Sequence, residues 1–397
     1  MNQTVAASTA QKAAIPVLLA LSATHLLNDM IQSLIPAIYP IIKSAYGLDF
    51  TQIGLITLTF QLSASILQPA VGYYTDKNPM PYSMVVGMGF TLAGLIGLSS
   101  AHSYPVLLVA AACVGIGSSI FHPEATRTAR NASGGRQGLA QGIFQVGGQA
   151  GGALGPLLAA FIIAPRGQSS IAWFSAAALI AIGLMVWTAR QTHRPEARAA
   201  SAPAKKPDAT SALPSATIAV AITILIVLMF SKNVYTSSLT SFYTFYLIDR
   251  FGVSVQTSQV MLFLFLAASP IGVLVGGVVG DRIGRNRIIW FSILGALPFT
   301  LMLPYANLFW TGVLSVLINL IMSSAFSAIL VYAMELMPRR AGLVGGFFYG
   351  LTFGLGGVAA ALLGALTDRW GLNAIYQICA FLPAIGLLAW FLPRVKG

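Results

Sequence analysis

Charge is what this sequence has least of. Only 8% of its 397 residues are Asp, Glu, Lys or Arg, against about 25% in a soluble globular domain. With 56% hydrophobic residues and a mean hydropathy of +0.79, so few charges cannot coat a water-soluble body of this size. A soluble enzyme is excluded, and lipid must be the solvent for most of the surface. Cysteine is nearly absent as well. Cys113 and Cys379 both lie inside apolar runs, and with no CxxC pair or Cys/His cluster neither a disulfide framework nor a zinc site is expected. HExxH, a placed Ser-Lys or Ser-His constellation and a His/Asp/Glu metal cluster are also missing from the sequence pattern. No catalytic residue, no metal and no cofactor are therefore expected, which argues against an intramembrane enzyme. The formal net charge is +12, but no basic stripe interleaves with exposed aromatics, so nucleic acid is not an expected partner.

What is present is a succession of apolar runs. They cover about 14–42, 50–75, 81–101, 104–128, 136–164, 169–190, 216–247, 254–280, 286–304, 307–337, 341–366 and 371–392. Each is long enough for a spanning helix of roughly 20 residues, which predicts an all-α membrane protein of twelve transmembrane helices. Met1 to Ala14 is short and polar. The run after it lacks an early small-residue cleavage site, so it reads as a first spanning helix rather than a removed signal peptide.

The basic residues orient the chain. Lys43, Arg166, Arg250 and Arg369 fall in one set of loops, Lys232 lies within the seventh run, and the other 17 Lys and Arg fall in the opposite set with both tails. The positive-inside rule then places both termini in the cytoplasm. One miscounted span would scramble this split.

The stretch 191–215 is rich in Ala, Pro, Ser and basic residues and reads as a cytoplasmic linker. It divides the chain into an N-terminal bundle of six helices (1–190) and a C-terminal one (216–397). The two parts resemble each other. Gly138-Leu139-Ala140-Gln141-Gly142-Ile143-Phe144 parallels Gly342-Leu343-Val344-Gly345-Gly346-Phe347-Phe348, and Gly72 with Asp76-Lys77 parallels Gly277 with Asp281-Arg282, at offsets of 204 and 205 residues. Such a repeat predicts two pseudo-symmetric bundles about an axis along the membrane normal.

Gly277-Val278-Val279-Gly280-Asp281-Arg282-Ile283-Gly284-Arg285-Asn286-Arg287 joins the eighth and ninth runs. It resembles motif A of the major facilitator superfamily, GxxxDRxGRR. Glycines let helices approach, and Asp281 can face a helix N-terminus or a basic partner. The first copy is degraded after Asp76, to Lys77-Asn78-Pro79. In the fifth run, Gly142, Gly151, Gly155 and Pro156 followed by Ala159-Ala160 resemble the superfamily's motif C, which marks drug/proton antiporters, with Ala-Ala where the motif has Gly-Gly. The arginine of that class before Gly115 and Gly117 is replaced by Ala111. His25-Leu26-Leu27-Asn28-Asp29, Phe121-His122-Pro123-Glu124 and Ser133-Gly134-Gly135-Arg136 further resemble the fosmidomycin resistance protein family. The resemblance implies the major facilitator fold, a monomer in a bacterial inner membrane, and proton-driven export of a small-molecule substrate. The superfamily's sugar, metabolite and other drug transporters are the alternative, and a channel is a further one.

Ionisable groups at mid-membrane are costly, roughly 2.5–3.5 kcal/mol on insertion scales, and so mark function. Asp29 and His25 share one face of the first helix at spacing i, i+4, with Asn28 and Gln32 adjoining. Proton coupling is expected of Asp29 and His25, with His122 and Glu124 as further carriers. Lys232, halfway along the seventh run beside Asn233 and Tyr235, is expected to pair with Asp29 or to hold an anionic substrate. Gln141, Gln145 and Gln149 form a stripe that must face protein or a watery cavity, and Tyr332 and Tyr349 are further cavity candidates. Arg127 beside Glu124, and Arg339 beside Glu335, are expected at a cytoplasmic gate with Gly72, Asp76, Gly277, Asp281, Arg282, Gly284 and Arg285.

Overall fold

The computed structural model describes residues 14–78, 80, 82–134, 137–192, 214–337 and 341–393. Every regular element among them is helical. In order they are α1 (Ile15–Ala37), α2 (Tyr39–Tyr46), α3 (Phe50–Lys77), α4 (Ser83–Ser100), α5 (Tyr104–Asn131) and α6 (Gln137–Leu158). A π turn at Ala159–Ile163 and the short α7 (Ala164–Arg166) extend α6, and a 3-10 stretch, Gln168–Phe174, leads into α8 (Ser175–Thr192). The second set is α9 (Ser215–Phe251), α10 (Val255–Ile283), α11 (Arg285–Leu294), α12 (Leu297–Met302), α13 (Leu308–Ser323), α14 (Ala325–Leu336) and α15 (Ala341–Cys379), closed by a 3-10 stretch at Leu382–Phe391.

Proline, glycine and capping residues place the breaks. Pro36 and Pro40 flank the step at Ile38 between α1 and α2. Asp49 begins α3 with a full capping box: its side chain accepts from Gln52 N, and the Gln52 side chain accepts from Asp49 N. The π turn follows Pro156, which removes one hydrogen-bond donor from the helix ladder. Gly371, at φ 78°, breaks the long α15 in a conformation that only glycine takes readily.

Ten helical stretches among the described residues are long and apolar enough to cross a membrane. α1 lies outside that set although it has 23 residues, because His25, Asn28, Asp29 and Gln32 depress its hydropathy. One of the ten, Gly350–Phe391, has 42 residues and contains the Gly371 break. The outward faces carry Ile66, Val109, Phe161, Trp173, Phe309 and Trp390 in exposed positions. In water so many apolar side chains would be an aggregation liability. Against lipid they are the expected surface.

α1 packs on α6 and α8, α4 on α5 and α8, and α3 on α5. In the second set α9 packs on α15 and on Leu382–Phe391, and α10 packs on α13. Two seams join the sets: α3 against α15, and α6 against α10. Glycines permit the first. A Cβ on Gly54 would lie 2.4 Å from the Ala360 carbonyl, and one on Gly364 would lie 2.3 Å from that of Phe50. At the Phe50 end the seam is also polar. The Asp368 carboxylate accepts from Phe50 N at 2.9 Å, Thr51 N at 2.8 Å and Thr51 Oγ1 at 2.6 Å. It is a second cap on α3, supplied by the other set of helices.

Most of the expected linker, residues 193–213, lies outside the described residues, as does Arg339. Tyr235 and Tyr332 depart from the cavity positions expected of them. Tyr235 is fully buried in a cluster with Tyr243, Tyr246 and Tyr376. Tyr332 is fully buried in a second cluster, and its hydroxyl donates to the Pro393 carbonyl at 2.5 Å. Each fills a core position instead.

Candidate functional site

One turn of α1 separates His25 from Asp29, and their side chains meet: His25 Nε2 lies 3.2 Å from Asp29 Oδ2. α5 brings His122 to the same carboxylate, its Nε2 3.6 Å from Oδ1. Asn28 Nδ2 donates to that oxygen at 2.9 Å and Gln32 Nε2 at 3.4 Å. The imidazoles touch edge to face, with centroids 5.2 Å apart, and the His25 ring stacks on Phe144 at 4.0 Å.

The far nitrogens of both rings are tied to backbone carbonyls. His25 Nδ1 lies 2.8 Å from the Phe144 carbonyl, and His122 Nδ1 lies 3.0 Å from that of Ser118. A carbonyl only accepts, so the His25 Nδ1 carries the hydrogen, whereas the His122 Nδ1 also lies 3.2 Å from the Ser118 hydroxyl, which can donate to it. In a neutral His25 ring the Nε2 facing Asp29 is then a lone pair. A lone pair against an ionised carboxylate oxygen at 3.2 Å is repulsive. The contact requires a proton between them, on imidazole or on carboxyl, or a metal cation in its place.

His25 is nearly fully buried, whereas Asp29 and His122 keep 25% and 18% side-chain exposure. The cluster therefore has one accessible face. Glycine makes its room. A Cβ on Gly148 would stand 2.3 Å from His25 Cε1, so α6 must lack a side chain there. Gly147, Gly151 and Gly155 bring α6 onto Ser22, Leu26 and Ser33 of α1 in the same way, while Gly142 has nothing within 4 Å of its Cβ position. The small residues of the fifth apolar run thus serve the α1–α6 contact, with Gly142 standing apart. From α15, Phe353 reaches the His122 ring at 5.8 Å between centroids.

No His/Asp/Glu cluster is expected from the sequence pattern, yet the fold brings three such residues together. His25, Asp29 and His122 hold donor atoms within 4.8 Å of one another. His122 is 97 residues from His25 in the chain, so ligand spacing could not reveal the grouping.

The other expected residues are more dispersed. Glu124 is buried and holds Arg127 Nη2 through both carboxylate oxygens, at 2.6 and 2.7 Å, while Arg127 Nη1 donates to the Thr75 carbonyl at 2.6 Å. These bonds tie α5 to the end of α3. Gln149 Oε1 accepts from Ser269 Oγ at 2.9 Å, and Ser269 meets Ser323 at 3.0 Å, so this glutamine links α6 to α10 and α13. Gln145 is half-buried on α6. Lys232 lies within α9 and is half-buried, beside the buried Asn233. Asn28 Oδ1 and Asn233 Nδ2 are buried atoms without a hydrogen-bond partner among the described residues. Gly72 makes only an ordinary contact with Pro123, Gly284 takes φ 94° between α10 and α11, and Arg285 opens α11. The side chains of Gln141, Tyr349, Asp76, Asp281, Arg282 and Glu335, and the surroundings of Gly277, lie outside the described residues.

Sequence reasoning missed Gly147 and Gly148, Phe353, Ser118, Ser269 and Asp368. The glycine pair had a signal, since it lies in the same small-residue run as Gly151 and Gly155. Asp368 had a weaker one, as an acidic residue at a helix end.

Among the described residues the chain is an all-helical bundle with a polar cluster inside it. The family model described as Major Facilitator Superfamily matches residues 21–361, and the chain belongs to that superfamily. It is a multi-pass membrane transporter, not an enzyme. Among curated proteins, the "Fosmidomycin resistance protein" of Escherichia coli (strain K12) is 55% identical over 394 residues, 98% of this chain and 95% of that protein. The "Uncharacterized MFS-type transporter YfnC" of Bacillus subtilis (strain 168) is 40% identical over 95% of this chain and 93% of its own. Among solved structures, a bacterial homolog of the human lysosomal transporter Spinster, in an inward-facing and occupied conformation, aligns with a TM-score of 0.74. It covers 95% of this chain and 94% of its own at 16% identity, a likeness of fold.

Proposed function

We propose that the protein is a proton-coupled exporter of small anionic molecules, fosmidomycin among them, in the bacterial inner membrane. The observation that carries the reading is the His25–Asp29–His122 cluster, whose inward nitrogens face a carboxylate and need a proton to do so. Proton entry at 100 mV supplies about 2.3 kcal/mol per charge, and this cluster is where the protein holds that proton. The 55% identity to a fosmidomycin resistance protein supports the substrate and the direction.

The span count is twelve in this reading: the ten apolar helices, α1 with its polar cluster, and a second crossing gained by dividing Gly350–Phe391 at Gly371. Residues 1–190 and 216–397 are the two bundles, and alternating access rocks one on the other along the α3–α15 and α6–α10 seams. The charge split puts the Phe50–Asp368 contact on the outer side, so the present conformation is closed outward, and the termini are cytoplasmic. Lys232 and Asn233 on α9 and Asn28 on α1 hold the anion. Asp281 and its basic neighbours close the cytoplasmic side when the outer side opens.

The test separates coupling from substrate handling. In proteoliposomes, Asp29→Asn abolishes fosmidomycin movement driven by an imposed pH gradient, while exchange at equal pH on both sides persists. Uphill transport by this variant would make Asp29 structural and pass the proton to Glu124. A drug-sensitive host expressing the wild type tolerates more fosmidomycin; unchanged tolerance with verified membrane expression removes the substrate.

A further inference from the structure

We infer that His25, Asp29 and His122 form a binding site for a divalent transition-metal ion of the zinc class. The donor set is two imidazole nitrogens and one carboxylate, which suits Zn(II), Co(II), Ni(II) and Cu(II) rather than Mg(II) or Ca(II).

Three features of the geometry carry the assignment. The first is spacing. Ligands about 2.0–2.1 Å from a tetrahedral ion lie roughly 3.3 Å from one another. His25 Nε2 is already 3.2 Å from Asp29 Oδ2 and His122 Nε2 3.6 Å from the other oxygen, Oδ1, and one donor atom from each of the three residues lies within 4.8 Å of the other two. His25 and Asp29 sit one turn apart on one helix, so that edge of the site is set by α1 alone. The second is tautomer. A metal-binding histidine characteristically gives its other N–H to a carbonyl or carboxylate, which fixes the ring and leaves the ligating lone pair inward. His25 does so to the Phe144 carbonyl, and His122 has the Ser118 carbonyl at 3.0 Å, with the Ser118 hydroxyl at 3.2 Å, to receive the same N–H. Asn28 and Gln32 orient the carboxylate as donors to Oδ1. The third is access. Asp29 and His122 retain solvent exposure while His25 is buried, which leaves one side for entry and for a fourth ligand, water or the anionic cargo itself.

The ion and the proton claim the same Nε2 lone pairs, so bound metal displaces the proton. This consequence rests on the proton reading above; the metal site does not.

The test uses the full-length protein without a histidine tag, purified in detergent micelles and titrated with Co(II). One equivalent binds and produces the intense visible absorption of a low-coordinate Co(II) centre, which added Zn(II) bleaches. His122→Gln and Asp29→Asn each lower the affinity at least tenfold with unchanged melting temperature, and His102→Gln, at an exposed position just before α5, keeps it. No visible band in the wild type, or equal affinity in His122→Gln, overturns the site. A second measurement isolates the proton reading. Zn(II) in proteoliposomes stops gradient-driven transport and spares exchange at equal pH. If Co(II) binds as described but Zn(II) leaves gradient-driven transport intact, the metal site stands and proton coupling at this cluster falls.

Discussion

α1 and α9 occupy matching places in the repeat, 205 residues apart, yet they carry different chemistry. Asn28 falls on Asn233, but His25 falls on Phe230 and Asp29 on Val234; in α5, His122 falls on Ser327 of α14. Conversely Lys232 falls on Leu27, and the complete glycine–acid–base loop of the second half falls on the degraded Lys77-Asn78-Pro79. The repeat keeps an amide in each helix and divides the ionisable groups. The acid and both imidazoles belong to the first half and the intramembrane lysine to the second. In the function proposed above, protons and anions would thereby meet opposite halves of one carrier. Even Gly148 and Phe353, 205 apart, differ in this way. One vacates space for His25, while the other covers His122 from across the seam.

Erasing the vacancy at Gly148 is the harshest way to break this comparison. Gly148→Ala puts a methyl into the His25 ring, so the imidazole must leave its slot and α1 comes to resemble α9. Gradient-driven transport should fall at least tenfold, and overpacking of this kind costs about 1–3 kcal/mol of stability. Gly142→Ala, with nothing within 4 Å, should change neither. Normal coupling in Gly148→Ala would mean that the imidazole's position is irrelevant to it.

A gentler variant sharpens the other side. Lys232→Gln should raise the KM for an anionic substrate about tenfold, equivalent to about 1.4 kcal/mol, with a much smaller change in kcat. An unchanged KM for anions would remove Lys232 from the substrate site.

The smallest effect is expected at the seam. Asp368→Asn weakens the charged cap on α3, an interaction of about 0.3–1 kcal/mol. A cysteine placed near the Phe50 end should then react with an impermeant reagent about two- to fivefold faster. An unaltered rate would show that the glycine contacts alone hold that end shut.

The helices were readable because lipid demands long apolar runs, and the runs fall close to the observed elements from Phe50–Lys77 through Ser215–Phe251. Their ends were less readable where backbone detail decides. The step at Ile38, the π turn after Pro156 and the extension of α9 to Phe251 do not alter hydropathy. Two of the three cluster residues were legible as a pair, since His25 and Asp29 share a helix face by periodicity. His122 was singled out for its intramembrane position, but its arrival at Asp29 depends on how α5 packs, which no spacing encodes. The pairing expected between Asp29 and Lys232 rested on repeat symmetry. In the structure, the groups that meet the Asp29 carboxylate are the imidazoles of its own half. The tyrosines misled because an aromatic with a hydroxyl suits a cavity wall and a core equally well, and Tyr332 finds its acceptor in the Pro393 carbonyl.

The contact of α1 with α6 works as a rack and pinion with the teeth jammed. Three successive turns of α6 offer Gly147, Gly151 and Gly155, whose missing side chains would stand 2.1, 2.1 and 1.9 Å from Ser22 O, Leu26 O and Ser33 Oγ. A side chain at any of these three positions would run into α1, so the close contact depends on glycine at each of the three turns. In the alternating-access cycle proposed above, the two helices travel as one body, carrying the bond from His25 to Phe144 with them. On the proposed cycle, turnover leaves the His25–Asp29 pair of α1 intact and works on who can reach it. A pair of spin labels, one on each helix, would report a single unchanging distance while the rest of the transporter moves around them.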